Sequence, residues 1–174
     1  MDSTNSAIRP PIGVVIPAYG HPRFLGEAII SACTQETERA IYVVVVDDGC
    51  RFEETADTVH NLAQQYPGVV FYIRHKNTRL PGARNKGVRF LLQTFPDIDA
   101  IFFLDADNRL SPYSLEAYRT ALGDDPQIGW AYPDISFFGL SWGRGGFDTR
   151  ETAPDYSVLK HLSGNISEAG SLVR

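Results

Sequence analysis

The chain has 174 residues, of which 43% are hydrophobic and 21% charged, and its formal net charge is −5 at pH 7. This length is enough for one domain with its own hydrophobic core, and the composition is that of an ordinary globular protein. The negative charge argues against non-specific binding to nucleic acid or to an anionic membrane. Every apolar run is shorter than the roughly 20 residues that cross a bilayer. We therefore expect a cytoplasmic protein with no membrane segment in this chain; any membrane association would come through parts of a longer chain.

Strand-like and helix-like patterns alternate along most of the chain. The strand-like runs are short, apolar and rich in β-branched residues, which is typical of parallel strands buried on both faces. They cover 12–17, 41–46, 69–74, 100–104 and 128–138. Helical spacing of apolar residues is found at 24–33, 56–66 and 83–94, and again after Pro112. This alternation predicts an α/β domain built of βαβ units around a mostly parallel sheet.

The two ends of the chain differ from this pattern. Residues 1–11 are predicted to form a flexible leader, and 12–174 to form the domain. A segment rich in glycine and charge predicts a loop at about 139–155. The sequence "YSVLKHL" at 156–162 is compatible with a short helix.

Three polar clusters follow predicted strands, namely "PAYGH" at 17–21, "DDGC" at 47–50 and "DADN" at 105–108. In an open parallel sheet the carboxyl ends of the strands meet at one edge, where ligands usually bind. Each cluster also has a plain structural interpretation: an Asx-type turn at Asp47-Asp48, and a helix cap at Asp105 or Asp107. Two carboxylates one residue apart repel each other unless a cation compensates them, and Mg²⁺ or Mn²⁺ suits such oxygen ligands.

A basic stretch precedes the last of these clusters. No acidic residue lies between Asp57 and Asp97, whereas residues 74–89 of that interval hold seven basic ones: Arg74, His75, Lys76, Arg79, Arg84, Lys86 and Arg89. Arg84 and Asn85 are predicted to begin a helix beside Gly82, where free backbone N–H groups favour anions. The combination of a basic turn with a carboxylate-bound metal predicts a diphosphate pocket.

Four segments together resemble the family 2 glycosyltransferases with the GT-A fold. They are "IGVVIPAYGHPRFLGEAIISACTQ", "IYVVVVDDGC", "GARNKG" and "AIFFLDADNRLSPYSLE", and their order and spacing agree with the family over about residues 12–135. The resemblance implies an α/β/α sandwich with a mostly parallel central sheet, truncated at its C-terminus. It also implies a nucleotide-diphospho-sugar donor, with a UDP-sugar as the leading candidate, and Mn²⁺ or Mg²⁺ as cofactor.

The resemblance also assigns roles to individual positions. Pro17, Ala18 and Tyr19 would line the nucleoside pocket, and Asp48 would bind the base. Arg84 would lie near the nucleotide, and Ala106 would belong to the nucleotide-sugar site. Asp107 would ligate the metal, while Asp105 would lie near the ribose or the metal's water shell and is the second candidate metal ligand. This sequence departs from the family pattern at three places. Gly20-His21 replaces a usual Asn, Cys50 replaces a usual Ser, and Arg79 stands where glycine is common.

In this family a later acidic residue serves as the base that activates the acceptor hydroxyl. We interpret "GGFD" at 145–148 as part of a loop and expect the base beyond Arg174. On this interpretation the chain binds a donor and transfers little sugar by itself, whereas a longer chain would transfer the sugar with inversion. The acceptor, whether saccharide, lipid or protein, is left open.

Three other functions are compatible with the residues. A haloacid-dehalogenase-like phosphatase would use Asp105 as nucleophile and Asp107 as acid, although such enzymes usually carry this motif on their first strand. A nucleotidyltransferase would need a Gly-rich basic loop after the first strand, which "PAYGHPRF" matches poorly. A non-catalytic module that binds nucleotide-sugars is the third alternative.

Overall fold

The computed structural model describes residues 9–20, 22–137, 149–151, 157 and 170–174, and only the backbone at 135–137 and 149–151. The helices are α1 (Pro22–Cys33), α2 (Glu53–Gln65), α3 (Arg79–Thr94) and α4 (Ser114–Leu122). The strands are β1 (Ile12–Ala18), β2 (Ile41–Asp47), β3 (Val70–Arg74), β4 (Ala100–Phe103), β5 (Trp130–Ala131), β6 (Ile135–Phe137), β7 (Thr149–Glu151) and β8 (Ser171–Val173).

Six strands form the main sheet in the order β3-β2-β1-β4-β8-β5. The first four of these are parallel, whereas β8 pairs antiparallel with both β4 and β5. Strands β6 and β7 form a separate antiparallel pair. The predicted α/β class with a mostly parallel sheet is confirmed, and β1 lies at the centre of the parallel part.

Helices cover both faces of the sheet, and alternate residues of β1 face opposite layers. One apolar core joins Ile12, Val14 and Ile16 to α1, α2 and α4, while the other joins Val15 to α3. Each of these β1 side chains is fully buried, which contributes about 1.5–3 kcal/mol relative to exposure. Continuous burial on both faces explains why β1 and β2 are apolar along their whole length instead of alternating.

Two glycines let α3 approach β1 closely. A Cβ on Gly87 of α3 would lie 2.5 Å from Val15 Cγ1, and a Cβ on Gly13 of β1 would lie 2.7 Å from Leu91 Cδ1. Both distances are far below van der Waals contact. The position of α3 against the sheet, and hence of the residues at its start, depends on the absence of a Cβ at these two positions.

The predicted strand at 128–138 is wrong as a single element. The structure divides it into β5 in the main sheet and β6 in the small one. Pro133 lies between them, and a proline cannot donate the hydrogen bond that would continue a ladder.

The predicted start of the third helix is also wrong. Helix α3 begins at Arg79 rather than near Gly82, so it includes Pro81 in its first turn. Proline is tolerated there because the first N–H groups of a helix have no partner within the helix. The helix after Pro112 begins at Ser114, two residues later than predicted.

Two short strands at the C-terminal end were not predicted from the sequence. Strand β7 lies inside the segment predicted as a loop at about 139–155, and β8 fills the space between β4 and β5. Each has only three residues, too few to show a period of two. The rest of that loop, including "GGFD" at 145–148, and most of the possible helix at 156–162 lie outside the described residues.

Residues 9–11 of the predicted leader contact the domain. An Arg9 guanidinium nitrogen lies 3.2 Å from a Glu116 carboxylate oxygen, and the Pro11 carbonyl accepts a hydrogen bond from the Asp99 N–H at 3.1 Å. Residues 1–8 lie outside the described part. None of the helices in the described part of the chain is both long and apolar enough to span a bilayer.

Candidate functional site

A cleft of about 500 Å³ opens at the edge of the sheet where the parallel strands end. Its lining comes from the ends of β1, β2 and β4 and from the segment around the start of α3. The lining residues are Pro17, Ala18, Tyr19, Asp48, Asn77, Arg79, Leu80, Ala83, Asp105, Ala106 and Asp107. The structure therefore brings together the three polar clusters that the sequence placed at one edge. Among the predicted site residues, Arg84 does not line the cleft.

The first wall of the cleft is built where β1 and β2 run out side by side. The Asp48 N–H donates to the Ala18 carbonyl at 3.0 Å, which carries the pairing one step beyond the strands. Tyr19 follows directly, and 56% of its surface is exposed. An accessible aromatic ring beside a buried carboxylate is an arrangement that can hold a flat, hydrogen-bonding ligand.

Asp47 does not line the cleft, and its carboxylate bonds the residues that surround the end of β2. Its Oδ1 accepts the Cys50 N–H at 2.7 Å, and its Oδ2 accepts the Tyr72 hydroxyl at 2.6 Å and lies 3.5 Å from Arg74 Nε. Burial, together with the hydrogen bond and charge of Asp47, raises the pKa of Tyr72 above its ordinary value. Asp47 makes the turn interaction that was considered for this pair of aspartates.

Asp48 lines the cleft and is held from behind. Its Oδ1 accepts the Thr78 N–H at 2.8 Å and the Thr78 hydroxyl at 3.3 Å, just before α3 begins. His75 Nε2 lies 3.5 Å from the same oxygen without a hydrogen-bond partner. Oδ2 makes no hydrogen bond within the described residues, so this buried carboxylate is fixed and still has an oxygen for a ligand.

Cys50 links the loops that follow β1 and β2. Its sulfur accepts hydrogen bonds from the Gly20 N–H at 3.4 Å and from the Thr55 hydroxyl at 3.3 Å. Burial alone would raise the pKa of this thiol, but hydrogen bonds from Thr55, Gly20 and Phe52 outweigh it and the pKa is lowered. Cys50 thus supports the cleft from behind and does not line it.

Arg84 reaches the site through Asp105. An Arg84 terminal nitrogen donates to Asp105 Oδ1 at 3.0 Å, and the guanidinium carbon lies 5.5 Å from the centre of the Phe103 ring. Arg84 Nε is buried without a hydrogen-bond partner. Since α3 begins at Arg79, Arg84 lies beyond its first turn and not at its start as predicted, whereas Gly82 is still among the first four residues of the helix.

Asp105 and Asp107, which were both predicted as metal ligands, have different surroundings. Asp105 is neutralised by Arg84, whereas Asp107 is exposed and makes no ion pair or hydrogen bond with the described residues. Within that same part of the chain, no group of three or more His, Cys, Asp or Glu side chains is placed to hold a metal ion. Asp107 is therefore the one carboxylate among the described lining residues that makes neither a hydrogen bond nor an ion pair with the described part of the chain.

Sequence reasoning missed four residues of the lining: Asn77, Arg79, Leu80 and Ala83. All four come after β3 in the chain: Asn77 lies in the connection to α3, and the other three lie in the first part of α3. The signal was available, because a third parallel strand must end at the same edge as its neighbours. In the sequence Arg79 stood out as a member of the basic stretch and as a departure from a common glycine, but it was not assigned to the site.

A comparison with models of known protein families identifies one family. The sequence model described as Glycosyl transferase family 2 matches residues 13–160. The curated proteins include no match to the chain.

Solved structures resemble the chain in fold. The mannosyltransferase PcManGT from Pyrobaculum calidifontis, in complex with GDP-Man and Mn²⁺, is 22% identical with a TM-score of 0.61, over 72% of this chain and 36% of that one. TarS 1-349 from S. aureus, in complex with UDP, is 16% identical with a TM-score of 0.64, over 94% of this chain and 46% of that one. The chain thus spans less than half the length of either protein.

Proposed function

Because the chain belongs to glycosyl transferase family 2, we propose that its cleft binds the nucleoside diphosphate of a sugar donor together with a divalent cation. Membership confirms the family and the GT-A fold that the sequence motifs implied. It also favours a glycosyltransferase over the phosphatase and the nucleotidyltransferase that were considered from the sequence. Transfer of the sugar to an acceptor, with inversion, is proposed for the whole protein.

The observation that carries this proposal is the meeting of Asp48, Asp105 and Asp107 in one cleft beside Tyr19. A volume of about 500 Å³ falls within the range that small-molecule sites occupy. The free oxygen of Asp48 can accept an N–H of a nucleobase, and the exposed Tyr19 ring can stack on the base. A base held at this end would leave its phosphates pointing toward β4 and the start of α3.

The residues present fit a divalent cation that is shared with phosphates. Mg²⁺ and Mn²⁺ sites of this kind use one or two carboxylates and leave the other positions to water and phosphate oxygens. Asp107 is free for such a role, with Asp105 beside it and held in place by Arg84. When bound, the cation would offset the negative charge that develops on the departing nucleoside diphosphate.

Charge explains why the cation is needed. The described cleft brings three carboxylates near two guanidinium groups, those of Arg79 and Arg84. A diphosphate adds further negative charge, which would repel Asp107 in particular unless a cation lies between them. The protein's own residues then orient the nucleotide, and Asp107 decides where the diphosphate is fixed.

Isothermal titration calorimetry with UDP and with GDP, each with and without Mn²⁺ or Mg²⁺, tests the proposal. We expect binding that strengthens at least about tenfold when metal is added, which corresponds to about 1.4 kcal/mol. Uridine and guanosine serve as controls, because they lack phosphates and should bind without metal dependence. If a folded chain binds neither diphosphate under any of these conditions, the proposal is wrong.

An assay of sugar release from a donor, run beside these titrations, separates donor binding from transfer. A chain that binds a diphosphate and releases no sugar from a donor in the presence of candidate acceptors would match the non-catalytic alternative. Robust transfer by these 174 residues would contradict the expectation that the base lies beyond Arg174.

A further inference from the structure

The backbone of Arg79 has an unusual conformation. Its φ of 65° makes it the one non-glycine residue with positive φ in the described part of the chain. In this region the Cβ of an L-residue crowds the neighbouring carbonyl, so glycine is favoured and Asn or Asp are the usual exceptions. Arginine brings neither the small size of glycine nor a short side chain that can bond its own backbone. A residue held in such a conformation often serves a function that a more relaxed residue would not.

Hydrogen bonds hold the backbone on the N-terminal side of Arg79 in place. The Arg79 N–H donates to Asn77 Oδ1 at 3.2 Å, while Thr78 is held by Asp48 at the back of the cleft. Arg79 is itself the first residue of helix α3. Its left-handed backbone therefore joins the tethered Thr78 to the body of the helix.

The side chain of Arg79 differs from the other arginines near the cleft. Arg84 is paired with Asp105, and Arg74 lies 3.5 Å from Asp47. Arg79 lines the cleft, is exposed, and makes no ion pair or side-chain hydrogen bond with another described residue. It is the one basic side chain among the lining residues of the described cleft. The Arg79 guanidinium is thus unpaired within the described part of the chain. Of the carboxylates that line the cleft, Asp48 and Asp105 bond other residues and Asp107 is exposed.

We propose that the Arg79 guanidinium binds phosphate oxygens of the nucleoside diphosphate. This inference rests on the proposed function and names a residue for the phosphate end of the ligand. The planar guanidinium matches the geometry of phosphate oxygens and can donate two parallel hydrogen bonds to them. Arg79, at the start of α3, and Asp107, after β4, both line the cleft, so a diphosphate bound there could contact the cationic side chain as well as the proposed metal-binding carboxylate. The strained backbone is retained because glycine, which would relax it, has no guanidinium.

Three substitutions separate the backbone from the side chain. Arg79→Ala removes the guanidinium and keeps the strain, Arg79→Gly removes both, and Arg79→Lys keeps a positive charge without the planar fork. Arg89→Ala is the matched control, because Arg89 is an exposed cation on the same helix that does not line the cleft. Affinities for UDP, GDP, uridine and guanosine are measured by calorimetry with Mn²⁺ present, and thermal melting is followed by circular dichroism.

We expect Arg79→Ala and Arg79→Gly each to weaken diphosphate binding at least about tenfold, since a charge-assisted hydrogen bond to phosphate is lost. Nucleoside affinity should stay unchanged, Arg79→Lys should lose less, and Arg89→Ala should match the wild type. Arg79→Gly should melt about 2–4 °C above Arg79→Ala, because glycine relieves the strained backbone. This second measurement needs no ligand and shows that both variants are folded.

Two results would overturn the inference while leaving the proposed function in place. One is wild-type diphosphate affinity in both Arg79→Ala and Arg79→Gly. The other is a loss in Arg79→Ala that Arg79→Gly restores, which would assign the effect to the backbone. Absence of diphosphate binding by the wild-type chain itself would overturn both proposals together.

Discussion

Two aspartates stand at the carboxyl end of β2 and two more follow β4, and the two pairs differ in burial and in hydrogen bonding. Asp47 and Asp48 are both nearly fully buried, and their oxygens accept hydrogen bonds from Cys50, Tyr72 and Thr78. Asp105 is half-buried against Arg84, and Asp107 is exposed with no partner among the described residues. Both carboxylates of the first pair are held by hydrogen bonds, although Asp48 keeps one free oxygen, whereas the second pair includes a carboxylate with no partner among the described residues.

This difference indicates how the work of recognition is divided. A buried, hydrogen-bonded carboxylate is fixed before the ligand arrives, which suits Asp48 for reading the shape and donors of a base. An exposed carboxylate carries no desolvation cost. Under the proposed function, Asp107 would become fixed only when a cation bridges it to phosphate. Specificity and metal-dependent affinity should therefore respond to different substitutions.

The largest effect on stability is expected at Asp47. Asp47→Ala should lower the free energy of unfolding by about 2–4 kcal/mol, because the Cys50 N–H and the Tyr72 hydroxyl lose their acceptor. Asp107→Ala, the matched change in the other loop, should alter it by less than about 0.5 kcal/mol. Urea unfolding followed by circular dichroism measures both. Equal losses in the two variants would remove the contrast between the loops.

Ligand binding should show the reverse order. Asp107→Ala should remove the metal-dependent part of UDP or GDP binding, a loss of at least about tenfold or 1.4 kcal/mol. Asp48→Asn keeps an oxygen to accept from Thr78 but loses the carboxylate, so it should weaken nucleoside and diphosphate alike and preserve the metal dependence. Calorimetry with and without Mn²⁺ distinguishes the two. Unchanged metal dependence in Asp107→Ala would sink the metal assignment.

The smallest expected effect is a change in pH dependence at Tyr72. Its pKa is raised in the folded state by burial and by Asp47, so the folded protein keeps the hydroxyl proton above pH 10 where the unfolded chain releases it. Stability is therefore lost as pH rises above 10. Tyr72→Phe should cost about 0.5–1.5 kcal/mol at pH 7, through the lost hydrogen bond to Asp47.

Above pH 10 that gap between wild type and Tyr72→Phe should narrow, because the variant has no proton to release at this position. Urea unfolding at pH 7 and at pH 10.5 checks the narrowing. A gap that is constant over this range would show that the Asp47–Tyr72 bond contributes no pH dependence.

The parallel strands and their polar ends could be predicted from the sequence because these signals are local and strong. Runs such as 12–17 and 41–46 are apolar on both faces, and only a strand covered by two layers accommodates that pattern. The residue at which each apolar run stops marks the end of a strand. Asp48 and Asp107 could therefore be placed at one edge of the sheet from the sequence alone. The apolar pattern could not predict the split at Pro133, where a proline divides one run into two strands, or β8, which has only three residues.

The partners of each aspartate could not be predicted, because they depend on contacts between residues far apart in the chain. Asp48 is held by Thr78 and Asp105 by Arg84, and both contacts depend on where α3 lies against the sheet. That position is set by side-chain packing at Gly13 and Gly87, which no local pattern encodes. The left-handed backbone of Arg79 also depends on distant contacts, because Thr78, the residue before it, is held by Asp48.

The sequence by itself thus determined the α/β class, the family and the edge of the sheet at which the site lies. It could do so because apolar periodicity and short motifs are properties of neighbouring residues. Only the tertiary structure decided which carboxylate is satisfied, which is free, and that Arg79 faces the cleft without a partner. Those are properties of the space between elements, and packing of α3 on the sheet is what fixes that space.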